Sequence, residues 1–358
     1  MTFLSNYSRY AMNKICIVTG GAGFIGSNLC KRLLDQYCTV YCVDNLSSSK
    51  GQNLDLLNKY ANFYHINQDI SSIKFSSQDA FDFVKRLPNI RQDLFNVDSK
   101  MEIWHLACPA SPKQYQYNPI ATLMTSVVGT HNMLMVAKEF NIPILFTSTS
   151  EVYGDPLIHP QPESYFGNVN PIGIRSCYDE GKRAAETLCF DFIRTYSMDV
   201  RVVRLFNTYG PCMDVQDGRV VSNFINQALY DEPITIYGDG SQTRSFCYVD
   251  DTINAMALVM NLKSSNLVLN IGNPIEYTIK QIADIVLDLT PNTGKSSIEY
   301  KELPLDDPKV RQPVTNRLEQ LTGWKPNVDL KTGLKLTINY FNNLKYETNK
   351  TRIDKDLI

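Results

Sequence analysis

The sequence lacks a CxxC pair, a charge excess of either sign and a long apolar run, and each absence removes a class of function. The four histidines (His65, His105, His131 and His159) are too scattered for a zinc motif, so no metal is expected. With 35 Lys and Arg against 37 Asp and Glu, the formal net charge is −2. That balance argues against nucleic acid or a membrane surface as a partner. A phosphate-bearing ligand must then be held by local features. No apolar stretch approaches the ~20 residues that span a bilayer, and the first thirteen residues carry no signal-peptide pattern. The nine cysteines are odd in number, and several, such as Cys16, Cys42 and Cys189, sit in apolar surroundings. Reduced thiols in a cytoplasmic compartment are the expectation.

What is present is the composition of an ordinary globular protein, 358 residues long with 43% apolar residues, enough for a large core. Short apolar runs at 15–19, 39–43, 63–67, 103–107, 144–147 and 200–204 alternate with amphipathic helical patterns at 24–34, 121–140 and 178–196. Such alternation predicts βαβ units and a parallel sheet covered on both faces. After about residue 207 the elements shorten, with helices expected near 220–229, 278–289 and 332–344 and a strand near 267–271. The predicted class is α/β, a Rossmann-type doubly wound parallel sheet with a smaller α/β substrate-binding lobe. The sheet domain is assigned 13–206 with 246–272 returning to it, and the lobe 207–245 and 273–346. The ends, 1–12 and 347–358, read as flexible tails. Residues 71–100 are polar and irregular and read as a surface insertion.

The segment ICIVTGGAGFIGSNLCKRLL (15–34) ends a strand at Thr19 and spaces Gly20, Gly23 and Gly26 as GxxGxxG before a helix. Glycine there permits a tight turn and lets backbone approach a pyrophosphate, which then sits on free N–H groups at the helix start. Phe24 and Ile25 open that helix. A second strand ends at Asp44, where a carboxylate accepts hydrogen bonds from an adenosine ribose and repels the extra phosphate of NADP. NAD is therefore the expected cofactor. Asn45, Leu106 and Ala107, at strand ends, are assigned to the same site. Asp69 after the third strand is assigned to adenine, although a loop Asp also serves as a turn residue.

Tyr178 and Lys182 in SCYDEGKRAAE are four apart in a helical pattern and share a face. A neighbouring ammonium favours the phenolate, which can take a proton from a sugar hydroxyl while hydride leaves the same carbon. A second Tyr-x-x-x-Lys match, Tyr10 to Lys14, precedes the first strand and reads as accidental. The fifth strand runs into TSTSEVYGD (147–155), placing hydroxyls and a carboxylate at a strand's carboxyl end, where open α/β sheets bind ligands.

Together these motifs resemble the extended short-chain dehydrogenase/reductases that modify nucleotide sugars. The longer blocks HLACPASPKQYQYNPIATLMT (105–125), STSEVYGDPLIHPQPE (148–163), NVNPIGIRSCYDEGKRAAE (168–186), FNTYGP (206–211), DGRVVSNFI (217–225), YGDGSQTRSFCYVDD (237–251) and DDPKVRQP (306–313) resemble the UDP-glucuronate decarboxylase family, from about residue 14 to 344. The resemblance implies Thr149, Glu151, Tyr178, Lys182 and Arg311 as catalytic positions, with Ser150 beside them. It implies Asn207, Arg219, Ser222, Tyr237, Arg244 and Tyr248 as contacts to UDP, with Ser111, Tyr117 and Gln242 as further substrate contacts. Tyr237 and Tyr248 have a plainer reading as core aromatics, and Arg311 as a surface ion-pair partner. Glu151 is left between moving a proton, holding a water and bracing its loop.

The chemistry implied is oxidation at C4 of UDP-glucuronate by tightly bound NAD⁺, loss of CO₂ from the resulting β-keto acid, and re-reduction to UDP-xylose. A homodimer through helices 121–140 and 178–196 is implied as well. Cys212 stands where the family would carry an arginine. The competing readings are a 4,6-dehydratase, a 4-epimerase, a UDP-4-keto-pentose synthase, and an NAD-sensing protein without turnover. The dehydratases carry Asp-Glu after the catalytic Thr, whereas Ser150-Glu151 follows Thr149 here.

Overall fold

Seven strands pair in parallel into one sheet: β1 Lys14–Thr19, β2 Thr39–Val43, β3 Phe63–Ile66, β4 Lys100–His105, β5 Ile144–Thr149, β6 Val200–Leu205 and, later in the chain, β11 Leu267–Ile271. The computed structural model describes residues 14–49, 51–72, 77–88, 100–263, 266–290, 297–302 and 310–356. Strand order is β11-β6-β5-β4-β1-β2-β3, so the direction of winding reverses between β1 and β4. Register sets Thr19 beside both Val43 and His105, and Thr149 beside Leu205. Gly20, Asp44, Leu106 and Ser150 therefore all emerge at one edge, across the switch point where such sheets bind ligands.

Side chains alternate between the two faces of the sheet. Cys16 and Val18 join a core with Leu29, Leu33, Ile253 and Met256, whereas Ile15 and Ile17 join one with Met133, Leu134, Ala185 and Phe192. Helices Phe24–Asp35 and Val249–Met260 cover the first face, and Ser176–Tyr196 with Pro119–Phe140 the second. Each fully buried Ile, Leu or Val stabilises the fold by about 1.5–3 kcal/mol. Within the 71–100 stretch a helix spans Ser77–Lys85, and Phe83, Val84 and Leu87 pack into the second core. Part of the expected insertion is thus docked, and its remaining residues lie outside the described ones.

The sequence showed no spanning segment, but helix Pro119–Phe140 is long and apolar enough, by length and composition, to cross a membrane. Half of that stretch is buried within the protein. A π turn at Thr125–Gly129 interrupts its α-helical pattern. The last helix, Leu330–Asp356, begins earlier and ends later than expected and runs through most of the assigned C-terminal tail. The N-terminal tail lies outside the described residues.

Among the described residues, the later chain adds three small sheets. Strand β7 Thr208–Tyr209 pairs with β10 Cys247–Tyr248, and β8 Ile234–Tyr237 with β13 Ile298–Lys301. The third joins β9 Thr243–Ser245 to β12 Glu276–Thr278 and β14 Val310–Arg311. In the parallel β9–β14 pair Arg311 stands beside Arg244. Two arginines far apart in sequence thus reach one patch above the sheet edge.

Candidate active site

A cavity of about 600 Å³ opens over the carboxyl ends of β1, β2, β4 and β5 and reaches under the later sheets. Its floor is the glycine turn. Gly20 has φ +71°, and a side chain there would meet the Ala107 backbone at 2.8 Å. A Cβ on Gly26 would lie 2.1 Å from the Gly20 carbonyl oxygen, so only glycine lets the helix start so close to the turn. Helix Phe24–Asp35 begins with no side-chain cap and no acidic residue in its first turn, leaving its N–H groups for an anion. Asp44 accepts N–H bonds from Ala22 (3.0 Å) and Leu46 (2.8 Å), while burial raises its pKa. A cradle that a Cβ would fill, an uncapped helix start and an acid at the second strand end fit a dinucleotide without a 2′-phosphate.

Gly23, Phe24, Ile25, Asn45, Asp69, Leu106 and Ala107 line this part of the cavity. Asp69 also closes its own turn, accepting from Ser71 N–H (2.8 Å), the Ser71 hydroxyl (2.7 Å) and Asn45 (3.1 Å). The plainer reading of Asp69 as a turn residue and its place on the cavity wall therefore coexist.

Tyr178 and Lys182 project from the first turns of helix Ser176–Tyr196 and are both buried. Lys182 Nζ donates to the Thr147 carbonyl (2.8 Å) and sits 4.8 Å over the Phe146 ring. Burial lowers its pKa. Beneath it His105 bonds Thr19 (2.7 Å) and Thr130 (3.0 Å), and burial with the Lys182 charge drives the imidazole down to about 3, so it stays neutral. The Tyr178 phenol differs from the sequence expectation. Burial raises its pKa well above the usual range, the Thr149 hydroxyl opposes this only in part, and Lys182 is 6.0 Å from the ring centroid. Desolvation therefore decides the direction here, with the Thr149 hydroxyl and the Arg219 charge opposing it.

Strand β5 ends in a 3₁₀ turn, Ser150–Tyr153, started by Thr149 accepting the Glu151 N–H at 3.2 Å. Arg311 is 2% exposed and grips this turn, donating to Ser150 Oγ (2.9 Å), Glu151 Oε1 (2.8 Å) and the Gly154 carbonyl (3.0 Å). It is no surface ion-pair partner. Arg175 bonds the other Glu151 oxygen. Burial works against the Glu151 charge, but the Arg311 and Arg175 guanidiniums prevail and hold its pKa at about 2. Glu151 is thus a carboxylate at any ordinary pH.

Of the expected substrate contacts, Ser111, Ser150, Asn207, Arg219, Tyr237, Gln242 and Arg244 line the cavity. The buried Ser111 hydroxyl and Gln242 Oε1 have no hydrogen-bond partner among the described residues. Asn207 is oriented by donating to the Ser245 carbonyl (3.1 Å), and Arg219 is held by Asp217. Three expected residues lie off the cavity wall. Tyr117 is 91% exposed on the outer surface. Ser222 is fully buried and spends its hydroxyl on the Arg219 carbonyl (2.9 Å), inside the first turn of its helix. Tyr248 is a core aromatic, packed edge-on against Tyr209. Cys212 lines the wall at φ +70°, with its thiol facing Ser27, Tyr340 and Asn28 rather than supplying a cation.

The sequence reading missed Arg175 and Tyr115. Arg175 lies three residues before Tyr178, a helical spacing that puts it near the same face. Tyr115 stacks parallel on Tyr178, ring centroids 5.1 Å apart, and its buried hydroxyl has no partner among the described residues. No local pattern marks Tyr115 over Tyr117.

Residues 16–272 match the NAD dependent epimerase/dehydratase family. The chain is 45% identical over 336 residues to UDP-glucuronic acid decarboxylase 6 of Arabidopsis thaliana, covering 93% of this chain and 90% of that protein. It is 43% identical over 354 residues to UDP-glucuronic acid decarboxylase 1 of Xenopus tropicalis, covering 99% and 77%. Among solved structures, the UDP-glucuronic acid 4-epimerase of Bacillus cereus, in complex with UDP-glucuronic acid and NAD, superposes with a TM-score of 0.78 at 25% identity, covering 92% of this chain and 99% of that one. By this family match and these identities, the chain belongs to the NAD-dependent epimerase/dehydratase family, among its UDP-glucuronic acid decarboxylases.

Proposed function

We propose that this chain converts UDP-glucuronate to UDP-xylose and CO₂, with NAD kept in the site and regenerated in each turnover. The observation that carries the reading is the bracket of Arg311 and Arg175 around Glu151, on the cavity wall beside Tyr178 and Thr149. Two guanidiniums on one stretch of cavity wall, where a sugar carboxylate would enter, are the donors that suit such a group. The names of the decarboxylase relatives support the same reaction.

When bound, NAD⁺ supplies a hydride acceptor for C4 and a cationic ring whose charge favours the phenolate form of a neighbouring tyrosine. Tyr178 takes the proton of the C4 hydroxyl and later returns it. Thr149, within reach of the phenol, orients that oxygen, and Lys182 is positioned for the ribose. Arg311 and Arg175 hold the C6 carboxylate, and after CO₂ leaves they offset the negative charge of the enolate, which then takes a proton from solvent at C5 before C4 is reduced again. Glu151, fixed as an anion, braces the two arginines and accepts hydrogen bonds. A dehydratase needs an acid for the departing hydroxyl, and neither Ser150 nor the ionised Glu151 supplies one.

Asn207, Arg219, Arg244, Gln242 and Tyr237 are assigned to the UDP moiety. We place the chain in a reducing, cytoplasmic setting, a reading supported by its nine unpaired cysteines, and read it as a homodimer. The test is to incubate purified protein with UDP-glucuronate, with and without NAD⁺, and identify products by mass spectrometry. UDP-xylose with CO₂ and no accumulated NADH is the expected result. A 4-keto pentose with stoichiometric NADH, or UDP-galacturonate without CO₂, would replace the proposal with another activity.

A further inference from the structure

The cluster around Glu151 has a fourth ionisable member that the roles above do not use. Asp179 follows Arg175 by one helical turn, with its Oδ2 3.9 Å from Arg175 Nε. It is 7% exposed and does not line the cavity, and its Oδ1 is buried without a hydrogen-bond partner among the described residues. The groups facing it are Arg175 and Glu180 from its own helix and its start, Glu151 from the turn after β5, and Arg311 from β14. The Cys177 thiol and the Tyr115 phenol complete its surroundings. Asp179 therefore neighbours Arg175, which lines the cavity, without lining the cavity itself.

We propose that Asp179 is a positioning residue whose proton sets the net charge of the Arg175–Glu151–Arg311 cluster, and so the preference of the site for a carboxylate-bearing sugar nucleotide. The inference rests on the carboxylate-substrate reading given above. With a proton on Asp179, two guanidiniums face one carboxylate and a single positive charge remains for an incoming anion. Without it, the charges cancel and the anion gains little. Burial and the Glu151 charge, offset in part by Arg175 and Arg311, push the Asp179 carboxyl up to about 8. The group is therefore neutral at pH 7 and ionised above about pH 9. The sign follows: affinity for a carboxylate ligand is near full at and below about pH 7 and falls as pH rises through about 8, by at most tenfold per unit. A ligand of the same shape without the carboxylate is indifferent to the change.

The experiment is a binding titration on the full-length, NAD-loaded protein in a Tyr178→Phe background, which removes turnover. Kd is measured for UDP-glucuronate and for UDP-glucose at pH 7 and pH 9.5, with and without Asp179→Asn. Asparagine copies the protonated carboxyl in shape and charge. Expected is a loss of affinity for UDP-glucuronate of about tenfold across that range, no change for UDP-glucose, and a flat response to both ligands in Asp179→Asn. The inference is overturned if the UDP-glucuronate response persists in Asp179→Asn, if both ligands weaken together, or if neither responds. Should the Asn variant fail to fold, the two-ligand comparison in the parent still decides. Product analysis of the wild-type protein judges the decarboxylase reading separately, because these titrations need no turnover.

Discussion

At the residue scale, the site shows how burial redirects side chains whose sequence signal is plain. Tyr178 and Lys182 are legible because a helix converts four-residue spacing into adjacency, and the glycines because their spacing meets a local turn. What the sequence does not carry is the balance of solvation against charge. The ammonium was expected to depress the phenol, yet burial raises it. Glu151, left open between acid, water holder and brace, is fixed as a carboxylate by two arginines, one of which arrives from β14. The proposed proton acceptor is tested by Tyr178→Phe, which keeps the ring stacked on Tyr115 and removes only the hydroxyl. NAD content after purification should be unchanged, while turnover of UDP-glucuronate falls by about 10²–10⁴-fold. A variant retaining wild-type rates would move the proton transfer to another group.

At the element scale, the strands of the sheet were legible because buried parallel strands are continuous apolar runs with turn signals on either side. Their ends shift by up to three residues, most visibly at β4, expected at 103–107 and found at Lys100–His105. The β9–β14 pairing was not legible. Strands of three and two residues carry no periodicity, and the register that sets Arg244 beside Arg311 is made by segments distant in sequence. The glycine turn is the element whose sequence requirement is strictest. Gly26→Ala would place a methyl 2.1 Å from the Gly20 carbonyl oxygen, a backbone atom that cannot swing aside. The helix start must then move off the turn. The expected outcome is a loss of copurifying NAD and destabilisation by about 1–3 kcal/mol, read from nucleotide content and thermal melting. Full NAD occupancy in Gly26→Ala would mean that the dinucleotide does not lie across this turn.

At the scale of the whole molecule, alternation of strands and helices implied the sheet, but an outer surface is specified only by what covers it. Helix Pro119–Phe140 packs one side against Ser176–Tyr196 and leaves Ile120 76%, Leu123 39% and Met124 45% exposed. Tyr117, expected in the site, stands 91% exposed beside them. A contiguous apolar face of this kind favours association over solvation, and a two-fold contact through it would align the catalytic helices of two copies in a four-helix packing. The alternative cover is a bilayer, for which the same helix qualifies by length and composition. The two are separated by Ile120→Asp, which puts a charge at the centre of the face. If the face joins two copies, sedimentation at micromolar concentration should show a dimer for the parent chain. The dimer of the variant should be weaker by about 2 kcal/mol or more, with the cavity and NAD content intact. A parent that sediments as a monomer would remove the dimer. Copurification of the parent with membranes, lost on Ile120→Asp, would assign the face to lipid instead.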